Sequence, residues 1–298
     1  MAMIALSRPE NVAGDFYVDT TCIDCDLCRQ IAPETFSRAG EQSAVHSQPQ
    51  SLDGELAALK ALVTCPTASI GDLGRHPARR AVEAYPELID DEVYFCGFAA
   101  ESSYGASSYL IVRPEGNVLV DSPRYTRPLA KRIAALGGVS RMFLTHQDDV
   151  ADHKTWAGRF QAERIMHRDD IGRSHAGIEN ILSAFDPVRL DHDLTVIPTP
   201  GHTRGHMVLL YRDRYLFAGD HLRWSDSIQS LHASRDVCWY SWTEQIRSME
   251  RLLDYDFEWV LPGHGRRAHR TAGEMRQHLR DCITRMKSID DSGLTIDD

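Results

Sequence analysis

The chain alternates between hydrophobic runs with the period of a strand and longer runs with the period of a helix. A short strand is predicted by the alternation in DFYVD (15–19), and a helix by the apolar spacing of SLDGELAALKALV (51–63). Two strands joined by a turn are predicted in SSYLIVRPEGNVLVDSP (107–123). A helix that ends at glycine is predicted in YTRPLAKRIAALGG (125–138).

The second half of the chain continues this alternation, and metal-binding residue types gather where its strands end. Strands are predicted in SRMFLTH (140–146), in several runs between 194 and 222, and in EWVLPGHG (258–265). Helices are predicted near 242–254 and from about 271 to 289. Because a sheet is a rigid support whose strand ends present side chains along one rim, this pattern favours a binding site at a sheet edge.

A stretch rich in glycine, proline and charge separates two regions of different pattern. It reads GDLGRHPARRAVEAYPELID and spans 71–90. Such composition is typical of a domain boundary. We therefore predict a first domain at 1–75, a linker at 76–92 and a second domain at 93–298.

Composition narrows the classes of partner. The chain has 298 residues, of which 42% are hydrophobic, and a formal net charge of −10. This charge argues against nucleic acid or an anionic membrane as a general partner. No apolar run approaches the roughly 20 residues that span a bilayer, and MAMIALSRPE lacks the basic start and apolar core of a secretory signal. We expect a protein of the reducing cytoplasm.

Four of the seven cysteines have the spacing of an iron–sulfur ligand set. An odd cysteine count with uneven spacing does not fit a disulfide framework. A C-x2-C-x2-C run followed by a distant C-P does fit one cluster, because three close thiolates can surround three corners of a cubane. A four-cysteine zinc site would usually pair two C-x2-C motifs. The predicted cluster ligands are Cys22, Cys25, Cys28 and Cys65.

The first region resembles a single-cluster bacterial ferredoxin over its whole length, which implies a small α+β fold and one [4Fe–4S] cluster. It is acidic, with ten Asp and Glu against five Lys and Arg in 1–75. Asp24 and Asp26 lie inside the ligand loop itself. An acidic face of this kind would suit a basic redox partner, and simple solvation of these charges is the alternative reading.

The second region carries HQDDVADH, PTPGHTRGH, AGD and LPGHG in that order. The order and intervals resemble those of the metallo-β-lactamase superfamily over roughly 90–270. The resemblance implies an α/β fold, an αββα sandwich with one or two metal ions at one edge. The ligands it implies here are His146, Asp148, Asp152, His153, His202, Asp220 and His264.

The first motif departs twice from the family pattern H-x-H-x-D-H. Asp148 replaces the second histidine, and two extra residues precede the pair Asp152–His153. If the loop bulges, metal 1 is bound by His146, Asp148 and His202, metal 2 by Asp152, His153 and His264, and Asp220 bridges them. If it does not, Val150 and Ala151 fall at the second-metal positions. We favour the complete site.

Asp148 also carries information about the metal. A carboxylate in place of an imidazole adds negative charge and a hard oxygen donor, which favours iron or manganese over zinc. The motif is similar to that of flavodiiron proteins, which carry a carboxylate at this position and reduce oxygen or nitric oxide. This similarity also implies a head-to-tail homodimer for the present protein. Here a ferredoxin-like region takes the place of their flavin domain, so the cluster is the expected electron source.

These features predict a diiron oxidoreductase acting on a small molecule such as oxygen, nitric oxide or a peroxide, with zinc or manganese as alternative metals. The competing prediction is a hydrolase of esters, thioesters, lactones or phosphodiesters, in which the first region is a redox sensor or docking module. A non-catalytic sensor is a third reading. We assign catalytic roles to Asp152, which would orient the attacking hydroxide, and to His206, which would act through hydrogen bonds. An external electron donor or acceptor protein is an expected partner.

One segment of the second region argues against a diatomic gas as the substrate. Residues 221–242 contain Trp224, Trp239, Tyr240 and Trp242. These aromatic side chains would suit the wall of a cleft for an organic substrate, or else they cap the hydrophobic core.

Overall fold

A computed structural model describes residues 2–289, which divide into two compact units. Within the described residues, the first unit comprises 2–141 and 151–162, and the second comprises 142–150 and 163–289. The first unit therefore contains the predicted first domain, the predicted linker and the beginning of the predicted second domain, from residue 93 to 141. Among residues 2–289, no helix combines the length and apolar character needed to cross a membrane.

The amino-terminal part of the first unit is a small α+β fold. Its elements are β1 (Phe16–Val18), α1 (Leu27–Ile31), β2 (Phe36–Ala39), β3 (Gln42–Val45), α2 (Leu52–Thr64) and β4 (Ile70–Asp72). Strand β1 pairs antiparallel with β4, and β2 with β3. The Ser51 side chain caps α2 by accepting a hydrogen bond from Gly54 N. Apolar side chains of β1 and α2 share one core, so the predicted strand and helix are confirmed.

The rest of the first unit is an antiparallel ladder with helices. Its elements are α3 (Arg79–Glu83), β5 (Glu87–Asp90), β6 (Val93–Phe95), β7 (Tyr109–Ile111), β8 (Val118–Val120), α4 (Arg127–Ala135) and α5 (His153–Phe160). Strands β5 to β8 pair in sequence order. The predicted linker therefore contains a helix and a strand. Ala81 and Tyr85 explain this difference, because both are fully buried and anchor the segment.

The second unit contains most of the remaining strands. Its elements are β9 (Arg141–Phe143), β10 (Glu163–His167), β11 (Asn180–Leu182), β12 (Val188–Arg189), β13 (Leu194–Pro198), β14 (Met207–Tyr211), β15 (Tyr215–Gly219), β16 (Arg223–Ser225), β17 (Ser230–His232), β18 (Trp259–Pro262), β19 (Ala268–His269), α6 (Trp242–Arg251) and α7 (Ala272–Lys287). Strand β10 pairs parallel with β11. Six strands form a sheet in the order β12-β13-β14-β15-β18-β19.

Strands β14 and β15 lie at the centre of this sheet, and every residue in them is buried. Helices α6 and α7 contribute apolar side chains to the same core. The Trp242 indole, which is almost fully buried, donates a hydrogen bond to the carbonyl of Met286 at 3.1 Å. A buried indole needs such a partner because an unpaired N–H in the core is costly.

Strand direction brings three loops to one edge of the sheet. Strand β15 runs parallel to β18, whereas β13 and β15 each run antiparallel to β14. Strands β13, β15 and β18 therefore point the same way and end at the same edge. The loops that follow them carry His202, Asp220 and His264.

Candidate cluster and metal sites

The four predicted cluster ligands line one cavity in the first unit. Cys22, Cys25, Cys28 and Cys65 surround it together with apolar side chains that include Val18, Leu27 and Ile70. Helix α1 places Cys28 in its first turn, and Cys65 directly follows the last residue of α2. The local fold thus brings the distant fourth thiol to the triplet.

The surroundings of these thiols fit a cluster. Burial raises the pKa of Cys25 to about 12 and also raises the pKa of Cys28. Cys65 Sγ accepts a hydrogen bond from Ser69 N at 3.3 Å, and Cys28 Sγ lies 3.2 Å from Ser43 Oγ. Because buried thiolates are unfavourable without a nearby positive charge, four thiols around one cavity are suited to iron that replaces their protons.

The acidic side chains of the ligand loop are paired within the first unit. Arg29, which is buried, lies 2.6 Å from Asp24 Oδ1 and 2.5 Å from Asp26 Oδ1. Arg38 lies 3.1 Å from Asp24 Oδ2. These arginines therefore neutralise part of the negative charge of Asp24 and Asp26. The expected docking of a basic redox partner stays a prediction.

Four side chains converge at strand ends of the second unit. His146 follows β9, and His202, Asp220 and His264 follow β13, β15 and β18. Asp220 Oδ2 lies 3.9, 3.8 and 3.7 Å from the Nε2 atoms of the three histidines, in that order. These distances are too long for hydrogen bonds. They are close to the separation of neighbouring ligands around one ion, which is about 3.4 Å for tetrahedral bonds of ~2.1 Å.

Two adjacent aspartates complete the group from either side. Asp148 Oδ2 lies 3.9 Å from His146 Nε2 and 3.7 Å from His202 Nε2. Asp149 Oδ1 lies 3.7 Å from His264 Nε2. Ligand atoms within 4.8 Å of one another form two sets, which are His146, Asp148 and His202, and His146, Asp149 and Asp220. The arrangement resembles two adjoining metal positions with Asp220 between them.

Several of these atoms are buried without a hydrogen-bond partner in the described part of the chain. They are Nε2 of His146 and His202, Oδ1 of Asp220, and both oxygens of Asp149. Asp149 is only 1% exposed. A buried carboxylate without a donor is costly unless a cation compensates it. The side chains at this site therefore fit bound metal.

The electrostatics of His264 agree with this conclusion. Burial opposes a positive charge on its ring, but the carboxylates of Asp220 and Asp149 prevail and raise its pKa to about 9. The site thus favours positive charge strongly enough to protonate an imidazole. A metal ion would supply that charge and release the proton.

Neighbouring groups fix the direction of the histidine ligands. The Nδ1–H of His202 donates to the carbonyl of Val237 at 2.5 Å, and His146 Nδ1 lies 2.9 Å from Thr145 Oγ1. Both rings therefore direct Nε2 toward the carboxylates. Gly263 also matters, because a Cβ there would lie 2.5 Å from Asp149 Oδ2 and would enter the site.

His206 lies beside the ligands and is fully buried. Its Nδ1 is 2.9 Å from Thr199 Oγ1, and its Nε2 accepts a hydrogen bond from Asp220 N at 3.2 Å. Burial, together with the nearby His146 ring, holds its pKa well below the usual range. Both nitrogens of this neutral ring are occupied, so the contacts indicate that it positions Asp220. A direct catalytic role for His206 stays a prediction.

Asp152 and His153 are placed differently from our expectation, in the first unit. Asp152 is the N-cap residue of α5, and its Oδ2 accepts a hydrogen bond from Tyr125 N at 2.6 Å. Neither residue belongs to the ligand sets found among the described residues. Helix α5 begins at His153, and the expected bulge that would restore this pair stays a prediction. The geometry gives Asp149 the place beside His264 that we expected for Asp152.

The four aromatic side chains of 221–242 separate into two pairs. Trp224 and Trp242 are 6% and 2% exposed and belong to the core, whereas Trp239 and Tyr240 are 65% and 48% exposed. The backbone N–H groups of this second pair donate to the carbonyl of His202. The Trp239 ring centre lies 6.2 Å from that of His202. An exposed aromatic surface therefore adjoins one predicted ligand.

Comparison with known proteins identifies the cysteine-containing segment. Residues 18–72 match the family model described as the 4Fe-4S single cluster domain of Ferredoxin I. This segment is a single-cluster ferredoxin domain. The match confirms the ferredoxin domain predicted from the cysteine spacing, and the roles of the four individual cysteines stay a prediction.

Comparisons of the larger part concern sequence and fold. The chain is 24% identical over 214 residues, 65% of its length, to the beta-lactamase-like protein 2 homolog of Drosophila melanogaster, and the match spans 70% of that protein. The structural match to a metallo-beta-lactamase from Pontibacter korlensis covers 66% of the present chain and 97% of the Pontibacter chain, with 16% sequence identity and a TM-score of 0.51. The match to a metallo-beta-lactamase from Hirschia baltica covers 66% of the present chain and 95% of the Hirschia chain, with 17% sequence identity and a TM-score of 0.50. The metallo-β-lactamase fold is thereby confirmed.

Sequence reasoning did not identify Asp149 as part of the site. It directly follows Asp148 in HQDD, but the family pattern directed attention to the later Asp–His pair. Its burial and its distance from His264 depend on how the loop packs against β18. A run of two aspartates after the first histidine was the only sequence signal.

Proposed function

We propose that this protein is a diiron oxidoreductase in which a [4Fe–4S] cluster supplies electrons to a dinuclear centre. The observation that carries the proposal is the buried carboxylate of Asp149, which has no hydrogen-bond partner within residues 2–289 and faces His264 and Asp220. It gives the site a third carboxylate. The fused ferredoxin domain supplies the second reason, because hydrolysis needs no electrons.

The set of donor atoms favours iron. Three carboxylates and three imidazoles bring three negative charges to two cations. Hard oxygen donors favour iron or manganese over zinc, and the negative charge stabilises the higher oxidation state. Asp148 and Asp149 together distinguish this set from one dominated by histidine.

Each residue has a defined task in this proposal. His146, His202 and Asp148 would hold the first ion, Asp149 and His264 the second, and Asp220 would bridge them. Two iron ions bound there would supply one-electron redox chemistry toward oxygen, nitric oxide or a peroxide. The Asp148 side chain is 49% exposed, whereas those of His146 and Asp149 are 0% and 1% exposed. Substrate would therefore approach from the Asp148 side, while the buried ligands exclude water from the other.

The ferredoxin domain would relay electrons from an external redox protein. Its four cysteines would hold the cluster, and Arg29 would balance part of the negative charge of the loop. A cytoplasmic location, a homodimer and the absence of nucleic-acid or membrane partners stay predictions.

Metal and sulfide analysis of anaerobically purified full-length protein tests the proposal, together with Mössbauer spectra before and after reduction. We expect about six irons per chain, four in a cubane and two in a coupled ferric pair that is reduced with the cluster. A preparation in which the centre holds no redox-active metal would contradict the proposal.

A metal-dependent hydrolase is the second candidate, and the exposed Trp239 and Tyr240 favour it. An aromatic surface beside His202 suits an organic substrate better than a diatomic gas. In this case the same analysis would give four irons and two zincs, and ester, thioester, lactone and phosphodiester substrates would be screened. Trp239→Ala should then raise KM with little change in kcat, since it leaves all six proposed ligands in place.

A further inference from the structure

A short segment between β10 and β11 contacts two of the ligand loops. It contains two 3-10 turns, Arg168–Asp170 and Arg173–His175. Asp170 is 2% exposed, so its carboxylate depends on protein donors. Oδ1 accepts a hydrogen bond from Gly205 N at 2.7 Å, and Oδ2 accepts from Thr203 Oγ1 at 2.5 Å and from Gln147 N at 3.2 Å.

The donors come from both sides of the proposed first metal position. Gln147 stands between His146 and Asp148, while Thr203 and Gly205 lie in the loop that begins at His202. One buried carboxylate therefore joins the loop that carries two ligands to the loop that carries the third. The close approach also explains the glycine at 205, because a Cβ there would lie 2.7 Å from Asp170 Oδ1.

His175 holds the same peptide from its other side. Gly172 N donates to His175 Nδ1 at 2.9 Å, so Nδ1 is an acceptor and Nε2 carries the hydrogen. Nε2 lies 3.1 Å from the carbonyl oxygen of Gln147 and donates to it. The Gln147 peptide is thus bound at its N–H by Asp170 and at its C=O by His175.

We propose that Asp170 is a positioning residue that sets the separation of His202 from the His146–Asp148 pair, and so controls the affinity and geometry of the first metal position. This inference rests on the proposed metal function. Asp170 contacts residues adjacent to His146, Asp148 and His202. It fixes the two loops that carry these three side chains and does not itself reach the metal position. Outer contacts of this kind typically change metal affinity by about ten- to a hundredfold when removed.

The test uses Co²⁺ as a spectroscopic probe, on full-length protein that retains its cluster but has been stripped of the other metals. Affinity is measured by competition with a chelator, and geometry by the cobalt d–d absorption and X-ray absorption. Asp170→Asn replaces an acceptor by an amide whose N–H₂ faces other donors. It should weaken the tighter Co²⁺ site by about ten- to a hundredfold and alter the d–d spectrum.

Asp169→Asn is the matched control. It removes the same charge one residue earlier, from a side chain that lies 3.2 Å from Arg204. We expect its Co²⁺ affinity and spectrum to match those of the unchanged protein. Thr203→Val removes a single donor, keeps the Asp170 carboxylate, and should weaken binding by about three- to tenfold. The Thr203→Val variant tests the positioning role of Asp170 if Asp170→Asn does not fold.

Two failures are distinguishable. If the unchanged protein binds no Co²⁺, the proposed metal function is wrong. If it binds Co²⁺, and Asp170→Asn and Thr203→Val bind it with the same affinity and spectrum, the positioning role is wrong. A lower melting temperature of the metal-free variants with unaltered cobalt binding would also overturn the inference, since it would show a purely structural residue.

Discussion

The cysteine cavity and the histidine–aspartate centre are built in opposite ways. Three of the four thiols lie within seven residues of one another, and one helix brings the fourth. The six side chains of the other centre come from four loops spread over 119 residues of sequence, from His146 to His264. The first site is encoded locally, whereas the second exists only because strands of defined direction end at one edge.

The two sites also differ in what their burial means. The thiols are partly or fully buried, and burial raises the pKa of Cys25 to about 12. Thiols can stay protonated, so an empty cavity costs little. Asp149 is buried near Asp220, and none of the described residues donates a hydrogen bond to its carboxylate. The second site therefore depends more strongly on its metal. The comparison teaches that a buried carboxylate without a donor needs a compensating cation, whereas a buried thiol does not.

The largest expected effect is loss of the iron–sulfur cluster without loss of the histidine–aspartate centre. Cys65→Ser should lose or convert the four-iron cluster, with a loss of up to about four irons per chain, because only three thiolates remain. Iron and sulfide analysis with electron paramagnetic resonance of the reduced protein measures this. The histidine–aspartate centre should keep any metal that it binds. Cys96→Ser is the control, since Cys96 is a cysteine of the same unit that does not line the cavity. An intact cluster in Cys65→Ser would refute the ligand assignment.

The next effect tests which aspartate belongs to the dispersed site. Asp149→Asn should weaken binding of the second ion by more than about tenfold, because it removes a charged donor facing His264. Metal content and chelator competition measure the loss. Asp152→Asn provides the matched comparison, and it should keep both ions because that carboxylate accepts from Tyr125 N. The reverse result would return Asp152 to the site.

A smaller effect concerns the choice of metal. Asp148→His replaces a hard, charged donor by a neutral imidazole between His146 and His202. The relative affinity for zinc over iron should rise by about tenfold. Competition between Zn²⁺ and Fe²⁺ under anaerobic conditions measures it. An unchanged preference would remove Asp148 as an argument for iron and would strengthen the hydrolase.

The smallest effect lies outside both sites, where His76 joins the predicted linker to the ferredoxin domain. Its Nδ1 is 2.8 Å from Asp72 Oδ1, and its Nε2 is 3.8 Å from carboxylate oxygens of Asp15 and Glu55. The hydrogen bond with Asp72, aided by these charges, raises the pKa of His76 although partial burial opposes it. Proton binding therefore stabilises the folded state.

The sign of the pH dependence follows from that shift. The contribution is complete below the ordinary histidine pKa of about 6.5 and is lost as pH rises through the raised folded-state value. Melting curves of the unchanged protein and His76→Gln should differ by a few degrees at about pH 5.5 and converge at high pH. His46→Gln, whose ring contacts the Pro33 carbonyl, is the control. A difference that is constant with pH would exclude the charge effect.

The sequence determined the parts that local pattern controls. The C-x2-C-x2-C loop, the strand at 16–18 and the helix at 52–64 follow from residue spacing, because neighbours along the chain fix them. The motifs that contain His202, Asp220 and His264 are also readable from the sequence, since each follows an apolar strand. It did not find the helix and strand within the expected linker, where burial of Tyr85 overrides a polar composition.

Only the tertiary structure decided which residues meet. In HQDDVADH five side chains were plausible ligands, and chain order alone could not choose between Asp149 and Asp152. The place of Asp149 depends on the absence of a side chain at Gly263, which leaves room for the Asp149 carboxylate. The pairing of Arg29 with Asp24 and Asp26, and the link from Asp170 to two loops, likewise depend on distances of a few ångströms. Residue types specify which atoms can bind a metal, whereas packing specifies which of them are close enough to do so.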